Sequence, residues 1–315
     1  MYVGDAKTSG TGATVGAVAL RDYLAQEVAL DFGDALLTRR EALRRLGLLG
    51  LGSGAAITLL AACGGSEGGE SDDAGDREAA PTTGPPGTAP AVAEAVTFPG
   101  PLGELMGAWA AAPTANGAVL VIHENRGLTD HIRTLPPRFA ADGYSALAVD
   151  LLSEEGGTAA VGGDAEAAAA LGQAPPERLV ADLRAGLDEL ERREPDTRLA
   201  AVGFCFGGGM TWQLLAAGEP RLAAAVPFYG PAPADADFSG SDAAVLAIYG
   251  ELDARVNATR DPAIAALDAA GLTHEVRTFA GADHAFFNDT GPRYNAAAAT
   301  DAYAAVLAWF DTHLA

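Results

Sequence analysis

From residue 95 onward the apolar positions fall into short, dense runs separated by stretches with a helical period. Runs at 96–98, 105–109, 118–123, 145–150, 199–204, 222–228, 244–249 and 274–279 are rich in Val, Ile, Leu, Ala and Phe, the pattern of strands. Helices are predicted at about 132–142, 176–194, 206–217, 259–270 and 296–314. Within 176–194, Leu179, Leu183, Leu187 and Leu190 recur at helical spacing, which gives that helix one apolar face. Alternating strands and helices predict an α/β fold, a mostly parallel central sheet with helices on both faces, over residues 95–315. In such a sheet chemistry collects at the carboxyl ends of the strands.

The first 94 residues lack this alternation. Thr38-Arg39-Arg40 and two further arginines precede the glycine-rich apolar run 46–60, a pattern that resembles a twin-arginine export signal, with Ala42 where such signals often carry Phe. Leu60-Ala61-Ala62-Cys63 then resembles a bacterial lipobox, which implies lipidation of Cys63. The competing reading is a core helix followed by a loop. Glycines at 47, 50, 52 and 54 oppose it, because each weakens a helix by about 1 kcal/mol. Residues 1–62 are thus expected to be an extension and export signal, in which 21–30 forms a short amphipathic helix of no visible function. Residues 63–94, rich in Gly, Pro, Ser, Thr, Asp and Glu, are expected to be the lipidated cysteine and a disordered linker. The protein is then expected outside the cytoplasm, anchored to a membrane.

Charge narrows the partners. Forty-two acidic against 20 basic residues give a net charge of −22, which excludes nucleic acid, since phosphate binding needs a basic face. With 49% hydrophobic residues the chain can bury a sizeable core. Its two cysteines, Cys63 and Cys205, lie in segments of different character and imply no disulfide framework.

The candidate chemistry centres on Gly203-Phe204-Cys205-Phe206-Gly207, at the join between the strand 199–204 and the helix after it. This is the layout of a nucleophile elbow. Gly64-Gly65-Ser66-Glu67-Gly68 fits a similar pattern but has neither strand before it nor helix after it. Asp253 lies just past the strand 244–249 and His284 just past 274–279, so nucleophile, acid and histidine follow in the order of an α/β-hydrolase triad.

These segments, together with His123-Glu124-Asn125-Arg126-Gly127 and Gly281-Ala282-Asp283-His284-Ala285-Phe286, resemble the dienelactone hydrolase family of α/β-hydrolases over essentially all of 95–315. The resemblance implies a Cys205 nucleophile, a His284 base and an orienting Asp253. It further implies that Glu124 contacts the resting thiol and that the N–H groups of Asn125 and Phe206 form the oxyanion hole. A carboxylate beside a thiol discourages the thiolate, so Glu124 is expected to keep Cys205 protonated until substrate displaces it. The alternative is a glutamate that satisfies loop N–H groups. Ala285 and Asn288 depart from the family pattern, in which Ser follows the histidine and a substrate-binding Arg lies nearby. Arg126, Arg293 and Tyr229 are the candidate substrate-binding residues here. The expected activity is hydrolysis of a small ester or lactone through an acyl-cysteine, in a monomer without metal or organic cofactor. A lipid-anchored binding protein without turnover, acyl transfer and dehalogenation remain as alternatives.

Overall fold

The computed structural model describes residues 12–63 and 93–315; residues 1–11 and most of the expected linker, 64–92, lie outside the described residues. Strands β1 (Glu94–Pro99), β2 (Glu104–Ala110), β3 (Gly117–Ile122), β4 (Tyr144–Asp150), β5 (Leu199–Phe204), β6 (Leu222–Phe228), β7 (Ala244–Gly250) and β8 (His274–Phe279) form one sheet in the order β1-β2-β4-β3-β5-β6-β7-β8. The pairs β1/β2 and β2/β4 are antiparallel and all the others parallel, the arrangement of an α/β-hydrolase. Strands β3, β4, β5 and β7 are buried along their whole length, as uninterrupted apolar runs predict.

Helices cover the sheet. The expected helix 132–142 is two pieces, α4 (Asp130–Arg133) and α5 (Leu135–Ala141), because Pro136 and Pro137 fit only the first turn of a new helix. Helix α6 (Asp164–Gln173) forms where the periodicity predicts no regular element. Helix α7 (Pro176–Arg193) buries Leu179, Leu183, Leu187 and Leu190 completely, each contributing about 1.5–3 kcal/mol. Helix α8 (Phe206–Ala216) follows β5 directly and packs beside α7. After β7 come the short α9 (Ala254–Asn257) and α10 (Arg260–Ala270). The last helix, α11 (Ala296–His313), meets α5 through Phe139 with Tyr303 and Phe310.

The N-terminal segment is the main departure from expectation. Residues expected to be an extension and export signal form three helices, α1 (Gly12–Gly33), α2 (Arg39–Leu48) and α3 (Ser53–Cys63). The glycines that argued against one long helix are accommodated by a break: Gly50, with φ +81°, and Gly52 fall between α2 and α3. Tyr23, Leu24, Val28, Leu46, Leu49, Ala56 and Leu60 are buried and join the hydrophobic core. Leu24 and Leu49 close on Gly172 of α6 so tightly that a Cβ there would lie 3.0 and 2.9 Å from them. Arg39 and Arg40 stay exposed, and α3 ends on Cys63. Among the described residues no helix is long and apolar enough to cross a membrane.

Candidate active site

The elbow holds its nucleophile under strain. Cys205 has φ 55° and ψ −115°, a conformation worth about 1–3 kcal/mol of strain for a residue with a side chain. The turn closes only because its flanks are glycines: a Cβ on Gly203 would lie 2.0 Å from the Gly207 carbonyl oxygen, and one on Gly207 2.2 Å from that of Ile122. The Cys205 N–H donates to the Phe228 carbonyl at 3.1 Å, tying the elbow to β6. Phe206 opens α8, so its N–H has no intrahelical acceptor and is free to meet an oxyanion.

Asp253 caps α9: one oxygen accepts from the Val256 N–H at 3.2 Å, and the other lies 2.6 Å from His284 Nδ1. The ligand atoms of His284 and Cys205 lie within 4.8 Å of each other. The structure therefore brings Cys205, Asp253 and His284 together at the carboxyl ends of β5, β7 and β8, all three of them buried.

The carboxylate on the thiol is a different one from that expected. Cys205 Sγ donates to Glu27 Oε2 of α1 at 3.3 Å, and the Tyr23 hydroxyl lies 3.4 Å from the same sulfur. Glu124 is buried nearby, but its Oε2 accepts from Asn288 Nδ2 at 2.7 Å, so Asn288 holds Glu124. Among the described residues Glu124 makes neither the thiol hydrogen bond nor the backbone hydrogen bond expected of it. The other Glu27 oxygen is paired with Arg255 and lies 2.9 Å from His284 Nε2, off the line of a hydrogen bond. Asn125 Nδ2 donates to Glu27 Oε2 at 3.0 Å, and the Arg255 guanidinium stacks over Tyr23 at 4.2 Å.

This network sets the protons. Burial favours a neutral Glu27, but His284 and Arg255 outweigh it and hold its carboxyl well below the usual range. Burial also favours a neutral imidazole, yet Glu27, Cys205 and Asp253 prevail and hold His284 well above the ordinary histidine range. Burial pushes the Cys205 thiol up, and Glu27 adds to it. Thiol, imidazole and carboxylate are ligand types of zinc, and the ligand atoms of Cys205, His284 and Glu27 lie within 4.8 Å of one another. Arg255 already pairs with the Glu27 carboxylate.

The candidate substrate-binding residues separate. Tyr229, with φ 35°, is fully buried, its ring 5.3 Å from that of His284 and its hydroxyl without a hydrogen-bond partner among the described residues. Arg293 is bound to α1 through Asp31 at 3.0 Å and to the residue just after that helix, Asp34, at 2.5 Å. Arg126 pairs with Asp164 at the surface. Sequence reasoning missed Tyr23, Glu27 and Arg255. A polar residue one turn from Tyr23 and beside Leu24 and Val28 is the signal that could have found Glu27, since it breaks an otherwise apolar helix face.

Comparison with known proteins agrees with this architecture. A protein of Escherichia coli O157:H7 provisionally named carboxymethylenebutenolidase is 34% identical over 205 residues, covering 61% of this chain and 75% of its own. One of the same name from Synechocystis is 31% identical over 243 residues, covering 70% of this chain and 96% of its own. The crystal structure of a provisionally named dienelactone hydrolase from Klebsiella pneumoniae superposes with a TM-score of 0.62 at 30% identity, over 70% of this chain and 98% of that one. The sequence profile of the dienelactone hydrolase family matches residues 106–314, more than half of the chain and all three of Cys205, Asp253 and His284, so the protein is a hydrolase belonging to the dienelactone hydrolase family.

Proposed function

We propose that the protein hydrolyses a small carboxylic ester or lactone through an acyl-cysteine, as the carboxymethylenebutenolidase name of its relatives suggests. The observation that carries this reading is the 2.6 Å contact of His284 Nδ1 with Asp253, beside a cysteine held in a strained elbow. With the site open to substrate, His284 Nε2 takes the thiol proton and Cys205 Sγ attacks the carbonyl carbon. The N–H groups of Phe206 and Asn125 receive the negative charge that develops on the carbonyl oxygen. His284 then protonates the departing alkoxide, takes a proton from water, and the hydroxide formed releases the acid from Cys205. Tyr229 packs against the imidazole and Arg293 lies at the mouth, where a substrate anion would meet it.

Cys205→Ala and His284→Ala are each expected to lower kcat/KM on a small aryl ester by about a thousandfold or more. Full activity in either variant refutes the reading. Mass spectrometry of the protein trapped with a slow ester should find the acyl group on Cys205.

Export and lipidation at Cys63 form part of the same proposal, supported by the exposed Arg39 and Arg40 and by the sequence that ends at Cys63. A native protein recovered from the cytoplasm with Met1 intact refutes it.

A further inference from the structure

Helix α1 stands where substrate has to be. A carbonyl carbon must come within about 3–3.5 Å of the attacking sulfur before reaction. That shell around Cys205 already holds the Glu27 carboxylate at 3.3 Å and the Tyr23 hydroxyl at 3.4 Å. Cys205 is 3% exposed. The neighbouring cleft, of about 150 Å³, is walled by Glu27, Asp253, Arg255, His284 and Arg293, and Cys205 is not among its walls. A closed site of this kind cannot turn over an ester.

The obstruction comes from outside the family-matched residues 106–314 and is joined to them through the segment 64–92. Its hold is largely ionic at the site: Glu27 on Arg255, and Asp31 and Asp34 on Arg293. Farther out, Arg44 reaches Glu166 at 2.6 Å, and Leu24 and Leu49 seat on Gly172.

The geometry points to helices α1–α3 as a displaceable autoinhibitory cover, with Glu27 as an internal competitor that fills the acyl site of Cys205 until the cover is withdrawn or cut away. The inference rests on Cys205 and His284 being the reacting pair. It gives the N-terminal segment a second role: if that segment is removed during export, removal also unlocks the enzyme.

The test is the full chain carrying a specific protease site within 64–92, compared intact and after cleavage and separation of the N-terminal piece. Two readouts are taken, the rate of Cys205 alkylation by iodoacetamide and kcat/KM on a small aryl ester. Removal of the cover is expected to raise both by about tenfold or more, the change for an intact chain open no more than a tenth of the time. A smaller rise in alkylation, with the separated domain still folded by circular dichroism, overturns the inference. Loss of turnover with alkylation unchanged also overturns it, since Glu27 would then be a working member of the site. Faster alkylation without any ester turnover upholds the cover and refutes the hydrolase reading instead. Should the separated domain unfold, Leu24→Asp in the intact chain loosens α1 without touching the reacting residues. It is expected to speed alkylation to the same degree, and an unchanged rate overturns the inference.

Discussion

At the scale of single residues the decisive contact is Glu27 with His284. Its two partners titrate in opposite directions. The raised His284 contributes docking stability in full below the value it keeps beside Asp253 with α1 withdrawn, and loses it as pH rises through its own higher value. The lowered Glu27 contributes in full above the ordinary glutamate value, about 4.3, and loses it as pH falls through its own lower value. Helix α1 is therefore held most firmly between about pH 4.3 and the value His284 keeps beside Asp253 alone, and loosens on either side. Hydrogen exchange of residues 20–33, corrected for intrinsic rates, should be slowest in that window, and Glu27→Gln should flatten the dependence. A profile equally shaped in the variant would show that other groups hold the helix. Asp253, Asp31, Asp34, Arg255 and Arg293 face the same junction, so the comparison with the variant is what isolates the pair.

At the scale of elements the strand–turn–helix unit of β5 and α8 fixes where the thiol stands. Gly203 and Gly207 are required by contact: a Cβ at either meets backbone, which cannot rotate aside as a side chain would. Gly203→Ala should lower stability by about 3 kcal/mol or more and reduce the yield of soluble protein. A variant with unchanged denaturant midpoint and full activity would mean the elbow is looser than this geometry. These glycines were legible in the sequence because the motif itself is a packing constraint between consecutive residues. The break at Thr134 between α4 and α5 was legible too, in Pro136 and Pro137, though periodicity alone ran the two pieces together. Helix α6 was not: its alanines carry little amphipathic contrast, and its faces are defined by α1 and α2, which pack on it from outside the domain.

At the scale of the whole molecule, a net charge of −22 opposes compaction while specific ion pairs hold the cover down. Salt acts on these two effects with opposite sign. Raising ionic strength from about 0.01 to about 1 M shortens the screening length from about 30 to about 3 Å. The melting temperature of the folded domain should rise as self-repulsion is screened, while protection of α1 against hydrogen exchange falls. Parallel movement of the two would show that the cover is held by apolar packing rather than by charge. The amino-acid sequence by itself determined the sheet, the elbow and the order of Cys205, Asp253 and His284, because each depends on local periodicity or on residues adjacent to a strand end. It could not assign the thiol's carboxylate. Glu124 and Glu27 are both glutamates able to reach a thiol, and the choice was made by Asn288, which draws Glu124 away, and by Arg255, which fixes Glu27. Those contacts join residues separated by 164 and 228 positions, and only the packing of α1 across the strand ends brings the second pair together.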